Sequence, residues 1–341
     1  MPIVTTFGEL MLRLKTPGFQ RFIQSSTLEA TFGGGEANVS ASLARLGHTV
    51  RWVSAVPEGA IGDWALTSLR GLGVDVSHVL RQGERLGIYL LEAGASQRPS
   101  QVIYDRAGSA ISQVKPGQVP WDRVLQGAAW FHTTGITPAL SEGAAASVLE
   151  ALIIAKRLGL TTSIDLNYRK KLWSKARAGE VMSNMMAHTD VLIANEEDCE
   201  SVFGIKAGKT EVASGSLEHE RYLDVAGQAL TRFPSVQRVA ITLRESKNAS
   251  ENGWSGLLVD REGHAFSRHY DITIVDRVGA GDSFAAGLIH ALLAGKNKKE
   301  SVEFATAASA LKHTIPGDLN LVTEAEIDSL AKGDVSGRVQ R

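Results

Sequence analysis

One stretch near the C-terminal end of the chain carries the strongest functional signal: Asp276-Arg277-Val278-Gly279-Ala280-Gly281-Asp282-Ser283-Phe284. Residues 269–275 before it have the pattern of a β-strand, and residues 284–293 after it place apolar side chains at the period of a helix. A strand, a turn with two glycines and a helix N-terminus together form an anion site. The glycines let backbone N–H groups converge, and the helix dipole adds partial positive charge.

Asp282 stands at the mouth of this predicted turn, where a carboxylate would repel an anion unless it takes part in chemistry. A carboxylate in this place can accept the proton of a hydroxyl group that attacks a phosphoryl group held by the turn. The alternative is that Asp282 only caps the helix, since Asp is among the favoured N-cap residues. These nine residues alone leave both interpretations open.

Composition narrows the class of protein. The chain has 341 residues, of which 43% are hydrophobic, and a formal charge of -1 at pH 7, which gives no electrostatic support to nucleic-acid or membrane binding. A single cysteine, Cys199, excludes an intrachain disulfide and fits a reducing compartment. Since no signal-like or membrane-length apolar run is present, we expect a cytoplasmic protein.

Strand-like and helix-like segments alternate along most of the chain, which predicts an α/β fold with a mostly parallel sheet covered on both faces. The predicted strands are Ile3–Phe7, Val50–Val56, Ala129–Thr133, Thr161–Leu166, Val191–Ala194 and Val239–Thr242. The predicted helices before the C-terminal ones are Gly35–Leu46, Ile61–Leu72, Glu142–Arg157 and Glu197–Phe203. Residues 206–221 are expected to form an exposed insertion.

Two stretches, residues 10–32 and 85–106, break this alternation. They lack helical periodicity and carry strand-like patterns, as in Gly87–Glu92, to which Gln101–Tyr104 can pair as a return strand. We therefore expect extra strands that project from the main sheet as a small lid. The whole chain, residues 1–341, is expected to be one domain that carries this lid.

The run Gly33-Gly34-Gly35-Glu36-Ala37-Asn38 directly precedes a predicted helix. Glycines let a backbone approach a ligand closely, and the amide of Asn38 can hydrogen-bond hydroxyl groups. A flexible loop followed by a helix cap is the alternative.

Polar residues also follow three predicted strands, at Asp165–Arg169, Asn195–Asp198 and Thr242–Lys247. Open α/β sheets bind ligands at the carboxyl ends of their strands, so these residues are candidates for the same site. An ordinary helix start with acidic residues is the alternative for Asn195–Asp198, and a surface salt bridge is the alternative for Arg169.

Tyr104 and Arg106 alternate in the second lid segment and should therefore face the same side of a strand. The planar fork of arginine binds a carboxylate through two hydrogen bonds, whereas a neutral sugar needs no such partner. The alternative is an exposed arginine on a lid strand.

Together these motifs resemble the ribokinase-like (PfkB-type) carbohydrate kinases, in the glycine run before Asn38, in Asp165-x-Asn167-x-Arg169 and in Asp276-x-x-Gly-Ala-Gly-Asp282. The resemblance covers almost the whole chain. It implies a three-layer α/β/α fold with a mostly parallel central sheet and a β-strand lid that covers the sugar site and pairs between subunits. It also implies ATP and Mg²⁺ as cofactors, and it leaves open a need for a monovalent cation such as K⁺.

The resemblance assigns roles to individual residues. It implies that Gly279, Ala280 and Gly281 bind the transferred phosphoryl oxygens and that Asp282 is the general base. The implied substrate residues are Gly33, Gly34, Gly35, Asn38, Tyr89, Tyr104, Arg106 and Arg169. The implied nucleotide residues are Asn167, Asn195, Thr242 and Arg244. Acidic residues after Asn195 would order Mg²⁺ through water, with Glu197 and Asp198 as the candidates beside Glu196.

The chain departs from the family pattern at two places. Asp198 stands where the family has glutamate, and Arg244 stands where it has glycine, followed by an expected polar loop to Asn252-Gly253. Tyr104-x-Arg106 with a following Ser-Ala resembles the branch that acts on 2-keto-3-deoxygluconate. The expected activity is ATP-dependent phosphorylation of that sugar acid to 2-keto-3-deoxy-6-phosphogluconate. A kinase of neutral sugars such as fructose or ribose, or a non-catalytic sugar-binding member of the fold, is the alternative.

Overall fold

The structure, a computed structural model, describes residues 2–195, 197–207 and 216–334. Its strands are β1 Ile3–Phe7, β2 Met11–Lys15, β3 Glu29–Gly33, β4 Thr49–Val53, β5 Ala55–Val56, β6 Val74–Asp75, β7 Leu80–Arg81, β8 Gly87–Glu92, β9 Gln101–Asp105, β10 Ala128–Thr134, β11 Thr161–Asp165, β12 Val191–Asn195, β13 Arg238–Ser246, β14 Glu251–Asp260, β15 Gly263–Phe266 and β16 Tyr270–Thr273. Its helices are α1 Gly35–Arg45, α2 Ala60–Arg70, α3 Trp121–Val124, α4 Ile136–Ala139, α5 Glu142–Arg157, α6 Lys175–Met186, α7 Asp198–Phe203, α8 Ser216–Arg232, α9 Ala280–Leu293, α10 Lys298–Lys312 and α11 Glu324–Lys332.

The main sheet has the strand order β15-β14-β13-β12-β11-β10-β1-β4-β6, and β16 pairs with β14 off this path. Every pair from β6 to β13 is parallel, and only the pairs that β14 makes are antiparallel. The predicted α/β class with a mostly parallel central sheet is confirmed. No helix in the described ranges is both long and apolar enough to cross a membrane.

Apolar side chains of the main sheet face two separate cores, one on each face. Strand β12 shows this alternation: Val191 and Ile193 pack with α1, α9 and α10, whereas Leu192 and Ala194 pack with α5, α6 and α8. A strand buried on both faces has a continuous apolar sequence for this reason. Helices therefore cover the sheet on both faces, and α1 and α9 lie on the same face with their N-termini at the same edge.

The segments predicted as extra strands form a second sheet with the order β3-β2-β8-β9. Its register places Arg13 of β2 opposite Thr31 on one side and Tyr89 on the other, and Tyr89 in turn lies opposite Tyr104. Residues that are opposite one another project from the same face of a sheet. The row of side chains that contains Arg13 and Tyr89 thus projects from this second sheet towards the edge of the main sheet at which α9 begins.

Several predicted boundaries were wrong. The predicted strand Val50–Val56 is divided, because the chain leaves the main sheet after Val53 and β5 pairs with β7 instead. The strand predicted at residues 269–275 is shorter, since β16 spans only Tyr270–Thr273. The helix predicted from Phe284 begins four residues earlier, at Ala280.

The polar loop expected from Arg244 to Gly253 was also wrong. β13 continues through Ser246 and pairs with β14 in an antiparallel hairpin in which Arg244 lies opposite Trp254. Polar side chains are compatible with this strand because Arg244 and Ser246 are exposed. Of the expected insertion at residues 206–221, residues 208–215 lie outside the described residues and the remainder leads into α8.

Candidate active site

Helix α9 begins without a side-chain cap. Gly279 is its N-cap residue, at φ 83°, and no side chain caps it among the described residues. A Cβ on Gly279 would lie 1.9 Å from the backbone oxygen of Asp318, so both the left-handed conformation and the close contact require glycine. The interpretation of Asp282 as a mere helix cap is therefore wrong. The first-turn N–H groups of α9 can instead meet an anion.

Asp282 lies in the first turn of α9, and only 9% of its surface is exposed. The Nδ2 of Asn38 donates a hydrogen bond of 2.7 Å to its Oδ2. Burial raises the pKa of Asp282 to about 7, and the charges of Asp318 and Glu36 act in the same direction, whereas the Asn38 hydrogen bond opposes them. A carboxyl group with such a pKa can take up and release a proton near neutral pH.

The glycine run holds Asn38 in this position. The Gly34 N–H donates 3.2 Å to Asn38 Oδ1, which directs the amide NH₂ towards Asp282. A Cβ on Gly34 would lie 2.0 Å from the oxygen of Glu9, and one on Gly33 would lie 1.9 Å from Asp318 Oδ2. These two glycines thus permit close packing within the protein itself. Gly34 also lines the cavity of the site, and contact of either glycine with a ligand stays a prediction.

Glu36, which follows the glycine run, is fully enclosed beneath the site. Its Oε1 accepts hydrogen bonds of 2.8 Å from Thr134 N, Thr134 Oγ1 and Thr137 Oγ1. Burial raises the pKa of Glu36. This carboxyl group fixes α1 to the end of β10, a role that the sequence did not indicate.

A second group of carboxylates follows β11 and β12. Burial, and next the charges of Asp198 and Asp282, raise the pKa of Asp165 well above its ordinary value. Asp165 Oδ1 accepts from the Asn167 N–H at 3.2 Å, and Asn167 takes a left-handed φ of 40°, which asparagine tolerates better than most residues. Asp198 Oδ1 accepts from the Tyr168 N–H at 3.2 Å.

Bound positive charge would relieve the repulsion among Asp165, Asp198 and Asp282, and carboxylate oxygens are the ligands that Mg²⁺ prefers. Within the described residues, no three acidic, histidine or cysteine side chains form a ready metal cluster. Mg²⁺ usually retains several waters and takes few protein ligands, so the donor set fits a water-mediated site.

Arg13 of the second sheet forms a buried bridge to the start of α9. Its guanidinium donates to the carboxylates of Asp276 and Asp318, and the whole residue is only 1% exposed. Tyr89 donates from its hydroxyl to the same Asp318. Sequence reasoning missed Arg13 and Asp318, because neither lies in a recognisable motif, although Asp276 begins one.

Arg106 and Arg169 approach the site from different elements. Arg106 follows β9, its guanidinium carbon lies 4.6 Å from the centre of the Tyr104 ring, and its Nε lies 3.5 Å from Glu9 Oε2. Arg169 donates from Nη1 to the Tyr168 oxygen at 3.2 Å. Its charge opposes the burial that raises the pKa values of Asp165 and Asp282. Both arginines therefore present a cationic group to the site.

These groups surround one cavity of about 300 Å³ between the two sheets. It is lined by most of the predicted residues: Gly34, Gly35, Asn38, Tyr89, Tyr104, Arg106, Asn167, Arg169, Asn195, Asp198, Thr242, Arg244, Gly279, Ala280, Gly281 and Asp282. Gly33 and Glu197 do not line it; Glu197 is exposed in a neighbouring cleft, and Glu196 lies outside the described residues. Lining residues that the sequence did not indicate include Ile136, Trp254, His313 and Asp318.

An anion site at a helix N-terminus, a proton-accepting carboxylate beside it and a polar cavity are the parts of a phosphotransferase site. The model of the pfkB family carbohydrate kinases matches residues 1–324, so the chain belongs to this family.

Named relatives agree with this family. The chain is 33% identical to a 2-dehydro-3-deoxygalactonokinase of Haloferax volcanii, with 98% of each chain covered. It is 32% identical to a 2-dehydro-3-deoxygluconokinase of Bacillus subtilis, covering 92% of this chain and 90% of the relative. The crystal structure of a 2-dehydro-3-deoxygluconokinase from Thermotoga maritima superposes with a TM-score of 0.93 at 46% identity, covering 98% of this chain and all of that one.

Replacement by alanine should have different effects at Gly279 and at Gly281, the two glycines of the α9 turn. A Cβ on Gly281 meets nothing within 4 Å, whereas one on Gly279 collides with the backbone at Asp318. We expect Gly281→Ala to keep the melting temperature of the wild type and to lower turnover about tenfold or more, because its methyl group enters the space beside the anion-binding N–H groups. We expect Gly279→Ala to lower the melting temperature itself. Equal turnover of Gly281→Ala and the wild type would contradict the placement of an anion here.

Proposed function

We propose that this carbohydrate kinase transfers the γ-phosphoryl group of ATP to the terminal hydroxyl of 2-keto-3-deoxygluconate, which gives ADP and 2-keto-3-deoxy-6-phosphogluconate. The observation that carries the proposal is the buried Asp282 with a pKa of about 7 beside the uncapped start of α9. The choice of a sugar acid is supported by the relatives named above and by the two arginines that line the cavity.

The reaction needs one proton acceptor and one anion site, and both lie in the first turn of α9. The substrate oxygen forms a bond to the γ-phosphorus while the bond to the leaving ADP oxygen breaks, and the hydroxyl proton passes to Asp282. The N–H groups of the Gly279–Gly281 turn stabilise the charge on the transferred oxygens. Asn38 holds one carboxylate oxygen of Asp282, so the other is free to face the hydroxyl.

In this proposal the sugar acid lies between α1 and the second sheet. Arg106 and Arg169 would hold its carboxylate, and Tyr89, Tyr104 and Asn38 would surround its polyol chain. Arg106 suits this role because its neighbour Glu9 is itself buried with a raised pKa, so a substrate carboxylate can compete for the guanidinium.

The nucleotide would lie on the other side of the α9 turn, beside Asn167, Asn195, Thr242 and Arg244. Mg²⁺, bound with the nucleotide, supplies positive charge to the phosphoryl oxygens. Asp198, with Asp165 behind it, would hold the ion through water, and exposed Glu197 would act at a greater distance. The second sheet would close over the sugar acid as a lid, and pairing of two lids would make a homo-oligomer.

Replacement of Asp282 by asparagine keeps its size and removes its basicity. We expect turnover to fall by about two to four orders of magnitude, the usual range for general-base catalysis, with little change in affinity for the sugar acid. Steady-state kinetics and calorimetric binding on the same preparation measure both quantities. Near-normal turnover would show that Asp282 is not the base.

The identity of the substrate is tested by comparing ATP consumption with 2-keto-3-deoxy acids, fructose and ribose. Arg106→Lys keeps the charge and loses the fork. It should lower kcat/KM about ten- to a hundredfold with the keto acids, since a charged hydrogen bond contributes about 1.5–3 kcal/mol. The loss should be absent with neutral sugars.

Arg85→Lys is the matched control, because Arg85 pairs with Asp105 beside Arg106 but does not line the cavity. It should leave kcat/KM unchanged with every substrate. A wild type that prefers fructose or ribose, or an Arg106→Lys penalty of equal size on both kinds of substrate, would contradict the sugar-acid assignment.

A further inference from the structure

Lys312, the last residue of α10, is a cation buried where no solvent reaches it. Its side chain has 0% exposure, although lysine is among the residues least often fully buried. A lysine in the last turn of a helix ordinarily lies at the surface and interacts with the helix dipole from water. Complete burial of an ammonium group is unfavourable unless it is paired, so its partners need an explanation.

Those partners are backbone oxygens of two loops. Nζ of Lys312 lies 3.3 Å from the oxygen of Asp276 and 3.1 Å from the oxygen of Ile315. The first loop leads into the Gly279–Gly281 turn, and the second leads to Asp318. Burial lowers the pKa of Lys312, while the carboxylates of Asp276 and Asp318 act in the opposite direction.

The two loops also contact each other directly. The N–H groups of Val275 and Asp276 donate to the oxygen of His313 at 2.8 and 3.1 Å, and the Gly317 N–H donates to Asp276 Oδ2 at 3.1 Å. Further along, the backbone at Gly279 packs against the backbone at Asp318. A displacement of either loop would therefore move the anion-binding turn.

We propose that the ammonium group of Lys312 takes the place of a bound monovalent cation. It binds the backbone oxygens of Asp276 and Ile315 and so sets the position of the anion-binding turn. An exchangeable cation such as K⁺ is then not needed at this place. Lys312 is then a positioning residue, because it contacts the loops and not the substrate. A tethered ammonium group and a free K⁺ ion can each bind backbone oxygens through their positive charge. This inference rests on the phosphoryl transfer proposed above.

Two substitutions distinguish charge from packing. Lys312→Ala opens a space that a free cation can enter, whereas Lys312→Met fills the same space without charge. Lys299→Ala on the same helix is the matched control, because Lys299 also donates to a backbone oxygen, that of Phe266 at 2.7 Å, but is exposed. Each protein is assayed for kcat in choline, K⁺ and ammonium buffers, and its melting temperature is recorded in the same buffers.

We expect the wild type and Lys299→Ala to have the same kcat and melting temperature in all three buffers. In choline, both Lys312 variants should lose kcat by about a hundredfold, the effect of a small displacement of catalytic groups. K⁺ or ammonium should restore most of the kcat of Lys312→Ala and raise its melting temperature, and should leave Lys312→Met unchanged.

Activation of the wild type by K⁺ would overturn the inference, and so would Lys312 variants that keep full kcat. A Lys312→Ala protein that loses kcat and shows no response of kcat or melting temperature to cations would show that the lysine only fills space. If Lys312→Ala does not fold, the comparison of wild-type kcat in choline and K⁺ still tests the inference, because activation by K⁺ would overturn it. The cation-dependent melting temperature needs no substrate, so it stands even if the wild type phosphorylates no sugar acid.

Discussion

The burial of the Asp282 carboxylate against the amide of Asn38 is the constraint on which the rest of the site depends. It requires the first turns of α1 and α9 to face each other, so that Asn38 Nδ2 lies 2.7 Å from Asp282 Oδ2. The loss of solvent disfavours the charged carboxylate and so raises the pKa of Asp282 towards neutrality. The same loss of solvent makes Asp282 a competent proton acceptor. Burial of this group is therefore the cause both of a local cost in stability and of its ability to act as a base.

Other parts of the fold can be understood as support for this contact. Glu36 fixes α1 to β10 through threonine donors, and Ser309 of α10 donates to the Ala280 oxygen at 2.7 Å, which fixes the start of α9. Arg13 reaches from the second sheet to Asp276 and Asp318 and so joins the cover of the cavity to the loops beside the reacting groups. A buried bridge of this kind couples the position of the sheet to the geometry of the anion site, since breaking it would remove the guanidinium charge that two buried carboxylates share.

The sequence was most informative where one residue type is required by chemistry or backbone geometry. The glycine turn before Asp282 and the polar ends of β11 and β12 were predicted because each follows a strand or precedes a helix. Asn38 was predicted because it lies in the first turn of a helix that follows a glycine run. Arg13, Glu36, Asp318 and Lys312 were not predicted, because their roles depend on long-range contacts between segments far apart in the chain. The hairpin of β13 and β14 was missed for a related reason. Its polar residues have the composition of a loop, and only the pairing of the two strands in the structure shows that these residues belong to strands.

The pH dependence of kcat/KM tests the central claim, that desolvation makes Asp282 the base, most directly. The base must be deprotonated to act, so kcat/KM of the wild type should rise with pH through about 7 and then level off. Asn38→Ala removes the hydrogen bond that lowers the pKa of Asp282, so the rise should move to higher pH. The substrates titrate identically with both proteins, so a shift assigns the rise to Asp282. A profile that is flat across neutral pH, or one that Asn38→Ala leaves in place, would contradict the account.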